Sequence, residues 1–411
     1  MEENHEEEKH EKDLKMSKLK KIWIIVGSAL ILISVFFFIK ANRSDGNTDE
    51  LVQIPQINEE SKNVSVSGRY LLNGTIFWGR AIEKWSQRPD GTYDYAQPFS
   101  GLDTFGPEKY DAWIADHECP VLDIVIPFEV QVNTLQFNCP PEYLPEAAKF
   151  FDIVNLSNNH SGDKGIDGFE TTRNNFITAG FQAFGHYDPS VKEDTCEIVA
   201  LPIKTKHGDG KTTEQNLPVA LCAWHYFGRK PLDGEVEHMK QYSEIMPVFA
   251  FVHMGAEYNT SAQPVQREIA HAVVDQGPEF VIANNPHWIQ DSEVYKDTLI
   301  VYSTGNFIFD QLDYEGNRSV SIDVTITADF NDNIEAWIQI GKDCKAEKLH
   351  DNCLALAKKQ GLKKIDFDLL FAAVGGDNTD HVTKKAGPKL QEAIEKRLNW
   401  AQTLKELGQD E

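Results

Sequence analysis

The chain has 411 residues, 41% of them hydrophobic, which is enough for one large domain or two ordinary ones and excludes wholesale disorder. Its formal net charge is −24, which argues against nucleic acid as a partner, because phosphate binding needs patches of Lys and Arg. The same charge disfavours a close lie along an anionic lipid surface.

In chain order, the first feature is a charged tail, EENHEEEKHEKD, followed by an uncharged apolar run from Ile22 to Ile39. Eighteen residues at about 1.5 Å each nearly span a hydrocarbon core of roughly 30 Å. Lys15, Lys18, Lys20 and Lys21 precede the run, and only Lys40 and Arg43 follow it closely. The larger basic cluster therefore holds residues 1–21 in the cytoplasm and puts everything after Lys40 outside. A cleaved signal peptide is the competing reading. The run is long for one, and Phe36-Phe37-Phe38-Ile39 offers no small-residue cleavage site. No Cys follows closely enough to carry a lipid. The expectation is a single-pass signal anchor at 22–39 in the cytoplasmic membrane, with 40–63 as a polar linker.

All six cysteines, Cys119, Cys139, Cys196, Cys222, Cys344 and Cys353, follow the apolar run, so the compartment permits disulfides. Their spacing matches no zinc ribbon. Cys344 and Cys353 flank a short polar loop and are the preferred pair.

From Val64 the chain alternates short apolar runs with helical patterns. FDIVNL (Phe151 to Leu156) predicts a strand, and Ile166 to Ala179 a helix. VFAFVHM (Val248 to Met254) predicts another strand, and Val265 to Gln276 a second helix. PEFVIAN, ending at Asn284, and TLIVYST (Thr298 to Thr304) add two more strands. This alternation predicts a layered α/β domain over 64–345 with a largely buried sheet. Ser319 to Ile340 alternates apolar and polar residues around Asn331-Asp332-Asn333 and predicts an antiparallel hairpin. Residues 346–411 read as a helical, charged extension interrupted by Gly375-Gly376 and Pro388.

Unusual polar residues follow the apolar runs. FDIVNL leads into Ser157-Asn158-Asn159-His160, VFAFV into His253-Met254-Gly255, and FVIA into Asn284-Asn285-Pro286-His287. LIVYS leads towards Gly305-Asn306-Phe307, and DAWIADHECP sets Glu118 at the end of a short apolar stretch. Ligands of layered α/β folds sit past the carboxyl ends of strands. Imidazole with oxygen ligands suits Mn, Fe or Zn, and a bridging carboxylate allows a two-metal site that activates water against a phosphate or ester. Each residue also has a plainer reading. A lone strand-end His is more often simply hydrogen-bonded, Asn after a strand is usually a turn residue, and Glu118 alone is a solvated carboxylate.

At these residues the chain resembles the CapA family of capsule and poly-γ-glutamate synthesis proteins. FDIVNLSNNHSGDKGIDGFETTRNNFITAGFQAFG carries the Asn-Asn-His and Asp-x-Gly pattern in Asn158, Asn159, His160, Asp163 and Gly165. HMGAEY, with His253, Glu257 and Tyr258, is similar to the family's His-x-Gly-x-Glu-Tyr. NNPHWIQ, VYSTGNFIFDQ with Asn306, and GTIFWGR from Gly74 to Arg80 are similar to three further segments. The resemblance covers roughly residues 68 to 340. It implies a metallophosphatase-like fold, a layered β-sandwich flanked by helices. It also implies roles: Glu118 as bridging carboxylate, Asn159 and His253 on one divalent ion, His287 on the other, and His160 beside Asn158 as the acid for a leaving group. Two positions depart from the family pattern. Its opening Gly-Asp is Gly74-Thr75 here, and its Gly-x-His-Pro-His has Asn285 for the first His. The expectation is therefore one ion, or two weakly held. The resemblance implies either a metal-dependent hydrolase or transferase on an anionic envelope polymer, or an accessory subunit that binds polymer or a synthase complex. A secreted metallophosphoesterase would share the site and differ in substrate.

Overall fold

In the computed structural model, residues 62–343 and 350–409 are described. The expected tail, apolar run and most of the linker lie outside these residues, as does Cys344. Among the described residues no helix is long and apolar enough to cross a membrane.

The first strand organises the molecule. β1 (Asn63–Ile76) alternates in burial up to Arg69 and is continuously buried from Tyr70 onward, so its first half has a solvent face and its second half has none. The first half runs antiparallel to β12 (Arg318–Asp329) and to β5 (Cys196–His207). The second half pairs in parallel with β2 (Ala112–His117) and with β11 (Asn306–Ile308). The sheet therefore forks at β1. One arm continues in parallel through β3 (Ile153–Asn155) and β4 (Gln182–Phe184). The other passes from β5 through β6 (Thr212–Tyr226), β7 (Val248–Met254), β8 (Phe280–Asn284) and β10 (Thr298–Val301), ending at β9 (Ser292–Tyr295). Within it β6, β7, β8 and β10 are mutually parallel. On the far side of β1, β12 is followed by β13 (Asp368–Asp377) and the short β14 (Lys384–Lys385). The expected layering takes the form of one 14-stranded mixed sheet with helices on it.

Side chains alternate across this sheet, which divides the core in two. Tyr70, Leu72, Ile114, Ile153 and Phe184 join one cluster, while Leu71, Trp113, Ala115, Val154 and Leu156 join the other. In the first, the Tyr70 ring lies 6.5 Å from Phe249 and the Phe184 ring 5.1 Å from Phe251. β1 and β4 thus pack on β7 without being hydrogen-bonded to it. Gly74 is required where β1 meets the start of β11, because a Cβ there would lie 2.2 Å from the Gly305 carbonyl oxygen.

Of the helices, α1 (Arg80–Ser86) follows β1, and α2 (Gly165–Thr178) buries Phe169 and Phe176. α3 (Pro264–Val274) starts with Gln263 and Gln266 in a reciprocal capping box and Pro264 in the first turn. α4 (Asp332–Asp343) replaces the second strand of the expected hairpin. Ile334, Trp337, Ile338 and Gly341 are buried at helical spacing, and Asn331 accepts a hydrogen bond from the Ile334 N–H at 3.0 Å as a helix cap. The Asn-Asp-Asn sequence is thus a helix start, not a hairpin turn.

The helical reading of the extension holds for α5 (His350–Gln360), α6 (Pro388–Leu398) and α7 (Trp400–Glu406), and fails at β13. Gly375 and Gly376 sit opposite Val320 and Ser319 in the β12–β13 ladder. The Gln391 amide accepts from Gly375 N–H and donates to the Ala373 carbonyl; Gln409 does the same with Phe371 and Leu369. Two side-chain amides thus cover an otherwise open strand edge. Cys119–Cys139 and Cys196–Cys222 are disulfides among the described residues, the latter joining register partners of β5 and β6. Cys353 is also disulfide-bonded.

Candidate metal centre

The forked sheet brings two rows of strand ends together. On one arm Asn306, Thr75, Asp116 and Asn155 are register partners across β11, β1, β2 and β3. On the other, His225, His253 and Asn284 are partners across β6, β7 and β8. Two side-chain contacts bridge the rows. His253 Nδ1 lies 3.0 Å from Asp116 Oδ2, and His287 Nδ1 lies 2.9 Å from Asn306 Oδ1.

Each bridge fixes a tautomer. Asp116 accepts from Asn155 and Asn158 Nδ2, each at 3.2 Å, which holds its carboxylate facing His253. In its neutral form His253 would carry its proton on Nδ1 and present the Nε2 lone pair, 2.8 Å from Asn159 Oδ1. Two acceptors facing each other repel, and a cation between them makes the contact attractive. Asn306 donates from Nδ2 to Gln311 at 2.9 Å, so its oxygen faces His287. Burial, with further contributions from His253, His160 and Arg80, lowers the His287 pKa to about 3 against the hydrogen bond it donates to Asn306. His287 is therefore neutral, and its Nε2 lies 3.9 Å from Glu257 Oε1.

Glu118 is 1% exposed and its Oε2 has no hydrogen-bond partner. Burial raises its pKa well above the ordinary value, and the charges of Asp116, Glu257 and Asp163 add to this, opposed by Arg80. His160 packs against Phe137 with ring centres 4.1 Å apart and planes tilted by 40°, and its Nδ1 lies 3.1 Å from Asp163 Oδ2. Asn158 is occupied within the protein. Its amide donates to Asp116 and the His117 carbonyl, and its oxygen accepts from His160 N–H and from Ser161. It shapes the turn that carries Asn159 and His160. Thr75 is buried at the end of β1, and Asn285 donates to the Gly255 carbonyl while its own Oδ1 has no partner.

Backbone strain collects here. Arg80, Tyr258, Asn285 and His287 have φ of 47°, 59°, 98° and 60°, conformations that non-glycine residues hold only when their surroundings over-determine them.

Three residues of this centre escape the sequence reading. Asp116 sits two positions before Glu118, and His225 ends the apolar stretch VALCAWH; both are strand-end signals of the kind used for the others. Arg80 closes the GTIFWGR segment. Its guanidinium bonds Asp310 and lies over Phe77, Phe137 and Phe309 at 4.8, 4.3 and 5.5 Å.

The donor set fits a divalent transition metal. A buried carboxylate oxygen without a partner, two imidazoles each held at Nδ1 by a side-chain oxygen, and a carboxamide oxygen facing an imidazole Nε2 are ligand arrangements. Among the described residues, the one group of three His, Cys, Asp or Glu side chains with ligand atoms within 4.8 Å of one another is His117, Cys119 and Cys139. Its sulfurs are joined in a disulfide, so it offers no thiolates. An ion in the cleft would accordingly rely on Asn159 and on water as well as on imidazole and carboxylate.

A mixed α/β sheet with imidazole, carboxamide and carboxylate groups at its parallel strand ends defines a protein with a candidate metal centre. The chain belongs to the family of the bacterial capsule synthesis protein PGA_cap, whose model matches residues 69–311. It is 25% identical over 327 residues to the PGA biosynthesis protein CapA of Bacillus subtilis (strain 168), covering 74% of this chain and 77% of that protein. It is 28% identical over 169 residues to the capsule biosynthesis protein CapA of Bacillus anthracis, covering 39% and 41%. A putative 5′-nucleotidase from Staphylococcus aureus, solved in complex with alpha-ketoglutarate, is similar with a TM-score of 0.37 and 10% identity, over 67% of this chain and 58% of that one.

Proposed function

We propose that this protein acts outside the cytoplasmic membrane in the synthesis of capsule or poly-γ-glutamate polymer, as a hydrolase or transferase that depends on a divalent ion. The observation that carries the proposal is the unpartnered, buried Glu118 Oε2, two residues after the Asp116 that holds His253. A carboxylate left in this state costs folding free energy unless a cation uses it. Mn, Fe or Zn suits the site better than Ca, because imidazole is present and carboxylates are few. Glu118, Asn159, His253 and His287 would hold the ion or ions. When bound, the metal supplies Lewis-acid activation of water or of the scissile group. The protein's own residues do the rest. Asp116 orients His253, Asn306 orients His287, and Asp163 holds His160, which as the imidazolium can give its Nε2 proton to a leaving group.

In this reading residues 1–21 are cytoplasmic, 22–39 anchor the chain in the membrane and 40–63 tether the domain near a polymer synthase complex. The arms that meet through Tyr70, Phe184, Phe249 and Phe251 are the layers of a metallophosphatase-like sandwich. Thr75 and Asn285 favour a second reading, an accessory subunit that binds polymer without turnover, because a hydroxyl and a carboxamide stand where the family pattern has a carboxylate and an imidazole.

The deciding experiment is metal analysis of the purified full-length protein, paired with hydrolysis assays on aryl phosphates and on poly-γ-glutamate. His160→Ala should keep the metal and lose turnover by roughly a hundredfold or more. A folded protein that takes up no Mn or Zn at millimolar concentration would rule out the catalytic reading and leave the accessory one.

A further inference from the structure

We infer that His225 is an additional imidazole ligand of this centre, supplied from β6 in place of the one missing at Asn285. The inference rests on the metal-dependent reading above and extends it to a residue outside the family's motif set.

The register carries the argument. His225 and His253 are direct partners on adjacent parallel strands, so their side chains leave the sheet on the same face. Their ring centres are 5.9 Å apart, with the planes at 71°. With metal–nitrogen bonds of about 2.1 Å, two imidazoles on one ion carry ring centres roughly 5 to 6 Å apart.

The tautomer is also set. His225 Nδ1 lies 3.1 Å from the Tyr187 carbonyl oxygen. A carbonyl only accepts, so Nδ1 carries the proton and Nε2 presents a lone pair. That Nε2 is buried and has no partner. A backbone carbonyl that engages the second nitrogen of a histidine is how ligand imidazoles are held. His253 is arranged the same way on Nδ1, which faces Asp116, while its Nε2 faces Asn159 Oδ1 at 2.8 Å. Two adjacent histidines with both Nδ1 protons engaged have no hydrogen to share, and their lone pairs together with Asn159 Oδ1 form a donor set for one ion. A plain structural histidine would have used Nε2 as well.

Asn285 clarifies why the position matters. Its amide is spent on the Gly255 carbonyl, and a carboxamide is a poorer ligand than imidazole for Zn or Fe. The imidazole that the family pattern has after β8 is thus made up two strands away, at the end of β6.

The test uses full-length protein in detergent, stripped with chelator and titrated with Co(II). Pulsed electron paramagnetic resonance of the Cu(II)-loaded form counts the imidazoles. His225→Asn should bind Co(II) about tenfold more weakly or worse and show one imidazole fewer, while melting with the wild type in chelator. Unchanged affinity and an unchanged count, with His253→Asn impaired, would overturn this inference alone. A folded wild type that binds no ion would overturn the metal reading beneath it. If His225→Asn does not fold, His225→Gln is measured by the same readouts with the same expected result.

Discussion

Replacing Glu118 with Gln should make the metal-free protein more stable and the metal-bound protein less so. The substitution keeps the shape and removes one negative charge. In the metal-free molecule, Glu118 Oε2 is buried without a partner, Asp116, Glu257 and Asp163 repel its charge, and only Arg80 opposes them. A buried charge repelled by its neighbours costs more than a neutral amide of the same shape, so the variant should gain about 1–3 kcal/mol in chelator. For a domain of this size such a gain raises the melting temperature by roughly 2–6 °C. With Mn or Zn at a hundred times its dissociation constant, the wild type should gain about 2.7 kcal/mol from binding, and the variant should gain little. Differential scanning calorimetry with and without chelator measures both effects. A variant less stable than wild type in chelator would show that the carboxylate already has a stabilising partner. An equal metal-induced shift in both proteins would show that Glu118 is not a ligand. Either result refutes the reasoning.

Two further predictions concern the scaffold. Burial raises the Glu315 pKa, but hydrogen bonds from Arg318 and Arg397 outweigh it and leave the carboxyl lowered. A lowered folded pKa contributes stability above the ordinary carboxylate range and loses it as pH falls through the folded value. Glu315→Gln should therefore cost about 1–2 kcal/mol at neutral pH, with the gap to wild type closing on acidification in urea titrations; a constant gap would count against the ion pair. Replacing Cys196 and Cys222 together with Ser should lower stability by about 2–5 kcal/mol, read as a fall in the urea midpoint with a steeper slope, because the unfolded chain without the crosslink exposes more surface. No change would mean the β5–β6 ladder holds without its crosslink.

Much of the fold was legible because parallel strands buried on both faces leave uninterrupted apolar runs. Val248 to Met254 and Phe280 to Asn284 are buried throughout, as their composition requires. The hairpin expectation failed at a place where two periods coincide. Ile334, Trp337 and Ile338 fit a helical stripe, yet Asn331-Asp332-Asn333 serves equally as a turn or a helix start. Only packing of Trp337 into the core, with its indole N–H donating to the Lys363 carbonyl at 2.9 Å, separates the two. β13 was missed because Gly375-Gly376 usually breaks structure. Here the glycines are what the ladder needs, since a Cβ on Gly376 would lie 2.3 Å from Ser319 Oγ.

The site was legible only one strand at a time. Asn159, His253 and His287 stand out in the sequence because each follows an apolar run, and a polar group at a strand end is visible locally. Asp116 and His225 end runs in the same way, but their meaning depends on which strands become neighbours. Thr75 looks like a lost carboxylate until the register sets Asp116 beside it on β2. Asn285 looks like a lost imidazole until the register sets His225 beside His253 on β6. Substitutions along one motif can thus be offset from an adjacent strand, because the centre responds to the groups gathered around it and not to the segment that supplied them. Asp116 also shows the limit of that compensation. Its oxygens are committed to His253, Asn155 and Asn158, so it restores the negative charge missing at Thr75 without restoring a free ligand. An imidazole regained in full and a carboxylate regained only as charge favour one well-held ion over two.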